Sequence, residues 1–189
     1  MSTRFSLNPT KIAHYEAAGW KAYYERAWLK LLSLIVSLCQ EQFRIPFPIS
    51  LLAAYYIVRA SATWVPVDHD LRIVQDYYTR FYRLARRYSG LDFDPIEAGR
   101  LETQYNIDHR RLVGNPDKSD FILTMTRLHA ALFGLTTEQA RPSAELRVLA
   151  NNTVDLITSG ASTNIPADWQ LLEDYLRRCY QSIADQFPT

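Results

Sequence analysis

The residues that can do chemistry here are polar or aromatic side chains set among apolar neighbours: Glu16, Arg59, Glu102, His109 and His129, with Tyr23, Tyr55 and Tyr105. In HYEAAGWKAYYERAW, steps of three and four join Ala13, Ala17, Trp20, Tyr24, Trp28, Leu31, Ile35 and Cys39 into one helical stripe, and Ile12, Glu16, Gly19, Tyr23, Ala27, Leu34 and Leu38 into the next. Both stripes are apolar except for Glu16, whose carboxylate must find a partner or reach solvent, because unpaired burial costs several kcal/mol. Arg59 follows Leu51, Leu52, Tyr55, Tyr56 and Val58, so it needs an acidic partner, Glu16 or Glu102, or acts as a clamp for an anionic ligand.

In LETQYNIDHRR, Glu102 and His109 share a face with Gly99, Asn106 and Val113, beside the apolar line Ala98, Leu101, Tyr105, Leu112. The two stand two helical turns apart, about 10 Å, so they line one pocket or meet different partners, but do not naturally share a metal. Glu102 or His109 is the residue to expect as general base if the protein is catalytic. His129 interrupts the otherwise apolar line Ile122, Met125, Leu132. Cys39 and Cys179 both belong to apolar stripes, where thiols are usually inert.

No familiar catalytic signature organises these residues. A carboxylate-bridged di-iron bundle would need Glu three residues before His, and none of the histidines has it. There is no His-Glu-x-x-His, no Gly-x-Ser-x-Gly, no phosphate-binding glycine loop and no dinucleotide fingerprint. No cofactor is implied. The expectation is a pocket between helices, lined by Tyr23, Tyr55 and Tyr105, on which Glu16, Arg59, Glu102, His109 and His129 converge to hold a small anionic or aromatic ligand, or a metal. The rival is a helical interaction module, homodimeric or partnered, whose internal polar groups satisfy one another.

The elements that must position these residues are helices. Only six glycines and almost no alternating pattern argue against strands. Asn8-Pro9 opens a long first helix that the spacing carries to about Arg44, where Ile45-Pro46-Phe47-Pro48 stops it. Further helices are predicted from Pro48 or Ile49 to Trp64, from Asp70 to Tyr88, from Asp94-Pro95 to about Gly114, from Ser119 to Gly134 and from Pro166 to about Gln186. Between the last two, Thr136 to Gln139 form a capping box, and Pro142 delays the main body of the helix to Ser143. The prediction is an all-α compact bundle of six to seven helices with a long N-terminal helix, one domain over 1–189.

Bulk composition narrows the partners. Twenty-one basic and twenty acidic residues leave +1, which provides no global field to draw nucleic acid or an anionic bilayer. Arg72, Arg80, Arg83, Arg86 and Arg87 read as the outer face of an amphipathic helix, diluted by Asp70 and Asp76, so nucleic acid is not expected. The apolar runs Leu31 to Cys39 and Ile45 to Val58 fall short of the roughly twenty residues of a membrane span. No basic start followed by an apolar core marks a secretory leader, and two isolated cysteines suit a reducing compartment, so the expected location is cytoplasmic.

Overall fold

A computed structural model describes residues 5–187. Eight helices account for the regular structure among the described residues: α1 (Pro9–Tyr24), α2 (Trp28–Phe43), α3 (Ile49–Trp64), α4 (Leu71–Ser89), α5 (Pro95–Leu112), α6 (Ser119–Phe133), α7 (Thr137–Thr158) and α8 (Ile165–Ala184). Their starts follow local side-chain chemistry. Asn8, Asp70, Asp94 and Asn164 each accept a hydrogen bond from a backbone N–H of the first turn, which satisfies a donor the helix itself cannot. Thr136 and Gln139 close a reciprocal capping box on α7.

The expected long first helix is two helices, and this division raises the number to eight. Glu25 and Arg26 bond back to the Lys21 and Tyr23 carbonyls, Ala27 N–H reaches Ala22 O at 2.9 Å, and Arg26 takes a left-handed backbone with φ of 57°. For a non-glycine residue that conformation costs roughly 1 kcal/mol. The reversal offsets the cost by folding α2 back on α1, so that Ile12 shares the main core with α2 while the alanines of α1 bury against a second cluster. Ala13 and Ala17 of α1 pack with Val154, Leu172 and Leu176 of α7 and α8, whereas Cys39 and Phe43 of α2 join the main core with Phe81, Leu128 and Phe133. The stripe that a straight helix would have made continuous is therefore cut: Tyr24 and Trp28 lie at the surface, 46% and 58% exposed.

A second departure concerns α7. It starts at Thr137 and runs through Pro142 instead of waiting for Ser143. Pro142 removes one backbone donor and is exposed, a tolerable loss in a long helix whose first turn is closed by the capping box.

Each helix packs on the next along the chain, α2 also touches α4, and α8 returns to pack on α1. The contacts thus close into a circuit. α4 crosses close on α5, where Gly99 lets the backbones meet: a Cβ at this position would stand 2.5 Å from Thr79 Oγ1 and 2.9 Å from Thr79 N. No helix among the described residues is long and apolar enough to cross a membrane.

Candidate functional site

The circuit of helices surrounds a cavity of about 850 Å³ to which every helix, α1 to α8, contributes lining residues. Its walls are mainly apolar and aromatic, with Ile35, Leu38, Phe81, Met125, Leu128 and Phe133 among them. Its mouth includes the exposed Tyr23, Tyr24 and Trp28 of the α1–α2 turn and Val58 and Val65 of the α3 region. At this rim Tyr23 meets Tyr24 and Trp28 edge to face, with ring centres 5.3 and 6.2 Å apart.

One buried polar group is built around Glu16, 7% exposed. Arg147 of α7 meets Glu16 Oε1 through Nη2 at 2.5 Å, and the Tyr180 hydroxyl of α8 donates to Oε2 at 2.7 Å. The guanidinium also lies over the Trp20 ring, 4.9 Å from its centre, and 5.9 Å from that of Tyr105. Asn151, one turn beyond Arg147, accepts from the Tyr105 hydroxyl at 2.8 Å and donates to the Arg147 carbonyl at 2.9 Å. Burial works against the charge on Arg147, but Glu16, Tyr105 and Tyr180 outweigh it and hold the guanidinium firmly protonated.

Glu102 faces the same cavity from α5. Tyr82 donates to its Oε2 at 2.8 Å, and Asn106 bridges the Glu102 carbonyl and the Tyr78 hydroxyl at 2.9 and 3.0 Å. Glu102 has no ion-pair partner among the described residues. Burial pushes its carboxyl above the usual carboxylate range, although the Tyr82 hydroxyl and the charge of Arg147 pull the other way.

The histidines are held separately. His109 lines the cavity and donates from Nε2 to Asp155 Oδ1 at 3.0 Å, with its ring stacked on Phe121. Glu102 and His109 therefore share the cavity and serve different partners. His129 Nδ1 lies 2.6 Å from Ser143 Oγ, whose own hydroxyl donates to the Ala140 carbonyl at 2.7 Å. That direction makes Nδ1 the protonated nitrogen and leaves Nε2 with its lone pair.

Burial, reinforced by Arg147, pushes His129 from 6.5 down to about 3, so the native ring is neutral. The unfolded chain takes up a proton between those values that the native chain refuses, so stability falls as pH drops through this window. From about pH 6 to about pH 4, His129→Gln should lose about 1.4 kcal/mol less per pH unit than the parent in urea unfolding. Equal slopes would contradict the assignment.

Two expected members lie elsewhere. Arg59 and Tyr55 are on the solvent face of α3, the Arg59 guanidinium 5.5 Å from the Tyr77 ring centre and Tyr55 48% exposed. The reason is the way α3 packs: it buries Ser50, Ala53, Ala54 and Ala60, and turns the bulkier Leu51, Leu52, Tyr55 and Val58 outward. Small residues permit close approach, so the apolar bulk that suggested an inward face marks the outward one. Glu16, Tyr23, Glu102, Tyr105, His109 and His129 do line the cavity, Tyr23 at its mouth.

Arg147 is the residue that sequence reasoning missed. It stands between Ala140, Ala144, Asn151 and Val154 at helical spacing, a misfit of the same kind as Glu16. Among the described residues no three His, Cys, Asp or Glu side chains cluster as metal ligands. Cys39 reaches the lining, but burial pushes its thiol up to about 12, which keeps it from acting as a thiolate.

What fold and site define together is a closed arrangement of helices around an aromatic, polar-belted cavity. No protein-family model, curated protein or solved structure matches the chain.

Proposed function

We propose that this protein binds a small, largely apolar or aromatic molecule in the cavity between its helices. The observation that carries this reading is the cavity itself: about 850 Å³, lined from every helix, with apolar walls and a few convergent polar groups. Ligand sites are typically concavities of roughly 300–1,000 Å³ with that division of labour between apolar surface and placed polar atoms. The ion pair of Glu16 and Arg147 gives the belt rigidity, and the aromatic rim offers broad contact at the entrance.

Trp20, Trp28 and Trp64, three of the four tryptophans, border the cavity, so occupancy is readable by energy transfer from them. Titration with the neutral dye N-phenylnaphthylamine should give saturable emission with one site per chain. Ser61 of α3 lines the cavity, and Ser61→Trp, whose indole would take up part of the space, should weaken the dye about tenfold or more. Dye emission that rises linearly without saturation, or that ignores Ser61→Trp, would remove the proposal.

A second reading is a homodimer, favoured by the large apolar side chains that α2 and α3 leave exposed, Leu29 and Leu32 on one and Leu51, Leu52 and Tyr55 on the other. Sedimentation velocity should then show mass rising with concentration and Leu52→Glu abolishing the rise. A monomer at every concentration excludes this reading.

A further inference from the structure

We infer that the molecule the cavity accepts carries a protonated amine, held at the Glu102 carboxylate and enclosed by the rings of Tyr78, Tyr82 and Tyr105. This rests on the cavity being a ligand site and specifies the chemistry of its occupant.

The argument is one of uncommitted groups. Deep in the lining stand two carboxylates, Glu16 and Glu102, and one guanidinium, Arg147. The charge of Arg147 is answered by Glu16, with Nη2 on Oε1 and the Tyr180 hydroxyl closing Oε2, although its Nε keeps a proton without a hydrogen-bond partner. Glu102 keeps a carboxylate oxygen for which the described residues provide no hydrogen bond, since Tyr82 occupies only Oε2. His129 offers the cavity a lone pair, not a positive charge, because its Nδ1 proton is directed to Ser143.

An anion entering this space would meet Glu102 with no free cation to answer it. Arg59 lies outside, and Arg110 is held at the mouth, donating to the Trp64 carbonyl at 2.8 Å with its guanidinium 4.0 Å from the Trp64 ring centre. A cation meets the reverse situation. Glu102 supplies charge and an acceptor, His129 a second acceptor, and tyrosine faces attract a desolvated ammonium. Burial raises the Glu102 carboxyl more than the Tyr82 hydroxyl and Arg147 lower it, and a bound ammonium favours the charged form. The groups bearing on Glu102 are Glu16 of α1, Tyr78 and Tyr82 of α4, Tyr105 of α5 and Arg147 of α7, and Arg147 alone among them is positive.

The test uses competition against N-phenylnaphthylamine by decylamine, decanol and decanoate, kept below their aggregation limits. Decylamine should displace the dye at a concentration at least about tenfold below decanol, with decanoate weakest, the margin expected of a charge-assisted contact. In Glu102→Gln the ratio of amine to alcohol should fall towards unity, and in Glu102→Asp the preference should partly persist. Equal displacement by amine and alcohol, a lead for decanoate, or a preference unchanged in Glu102→Gln overturns the inference while the cavity remains a binding site. Failure of the dye itself to bind removes both.

Discussion

Arg147→Met is expected to lower the free energy of unfolding by about 3–5 kcal/mol, because it leaves the Glu16 carboxylate buried without a cation. Both side chains of this pair are almost out of solvent, 11% and 9% exposed, so water cannot take over the lost contact. The change also removes the guanidinium from the Trp20 and Tyr105 rings. The pair as a whole contributes much less than either half, since bringing two charges out of water offsets most of their attraction. Glu16→Gln combined with Arg147→Met should therefore be more stable than Arg147→Met alone, with the amide still accepting from Tyr180. Urea unfolding of the three variants measures this, and strict additivity of the two single changes would show that the residues are not coupled.

Gly99→Ala is expected to cost about 1–3 kcal/mol, the range for forcing extra volume into a close-packed contact. The added methyl would meet the Thr79 backbone as well as its side chain, and backbone atoms cannot rotate away. α4 must then retreat from α5, and the hydrogen bonds from Tyr82 to Glu102 and from Asn106 to Tyr78 lie across that same seam. The variant should thus lose dye affinity along with stability. Gly19→Ala is the matched comparison: its Cβ would meet only Leu31 Cδ1, at 4.0 Å. There, helix propensity alone should act, for a gain of up to about 1 kcal/mol. Equal behaviour of the two alanines would contradict the packing account.

The helix starts were legible in the sequence because their causes are local. Asn8, Asp70, Asp94 and the Thr136–Gln139 box act within a single turn, and the structure places helices at each. The reversal after Tyr24 was not legible. Glu25-Arg26-Ala27 contains no glycine, proline or asparagine, and the turn forms because the alanine face of α1 packs on α7 and α8 while α2 folds back into the main core, contacts made far along the chain. Arg59 and Tyr55 fall outside the cavity for a related reason, since only the packing of α3 shows that its alanines, not its leucines, are buried.

Of the cavity residues, Glu16 was recognisable as a polar misfit in an apolar stripe, and Glu102, His109 and His129 by the same rule. Their partners were not recognisable. Glu16 with Arg147 and Tyr180, Tyr82 with Glu102, and His109 with Asp155 are joined by closure of the helical circuit, which no spacing within one helix encodes.

The most direct test of the central claim is a two-dimensional ¹⁵N–¹H spectrum of the tryptophan indoles during titration with N-phenylnaphthylamine. Trp20, Trp28 and Trp64 border the cavity, whereas Trp169 is not among its lining residues and packs on the cluster of Ala13, Leu172 and Leu176. The indole signals of the first three should shift together and saturate at one dye per chain while that of Trp169 stays in place. A saturating titration that leaves all three unmoved, or that moves Trp169 alone, would show that the cavity does not bind the dye.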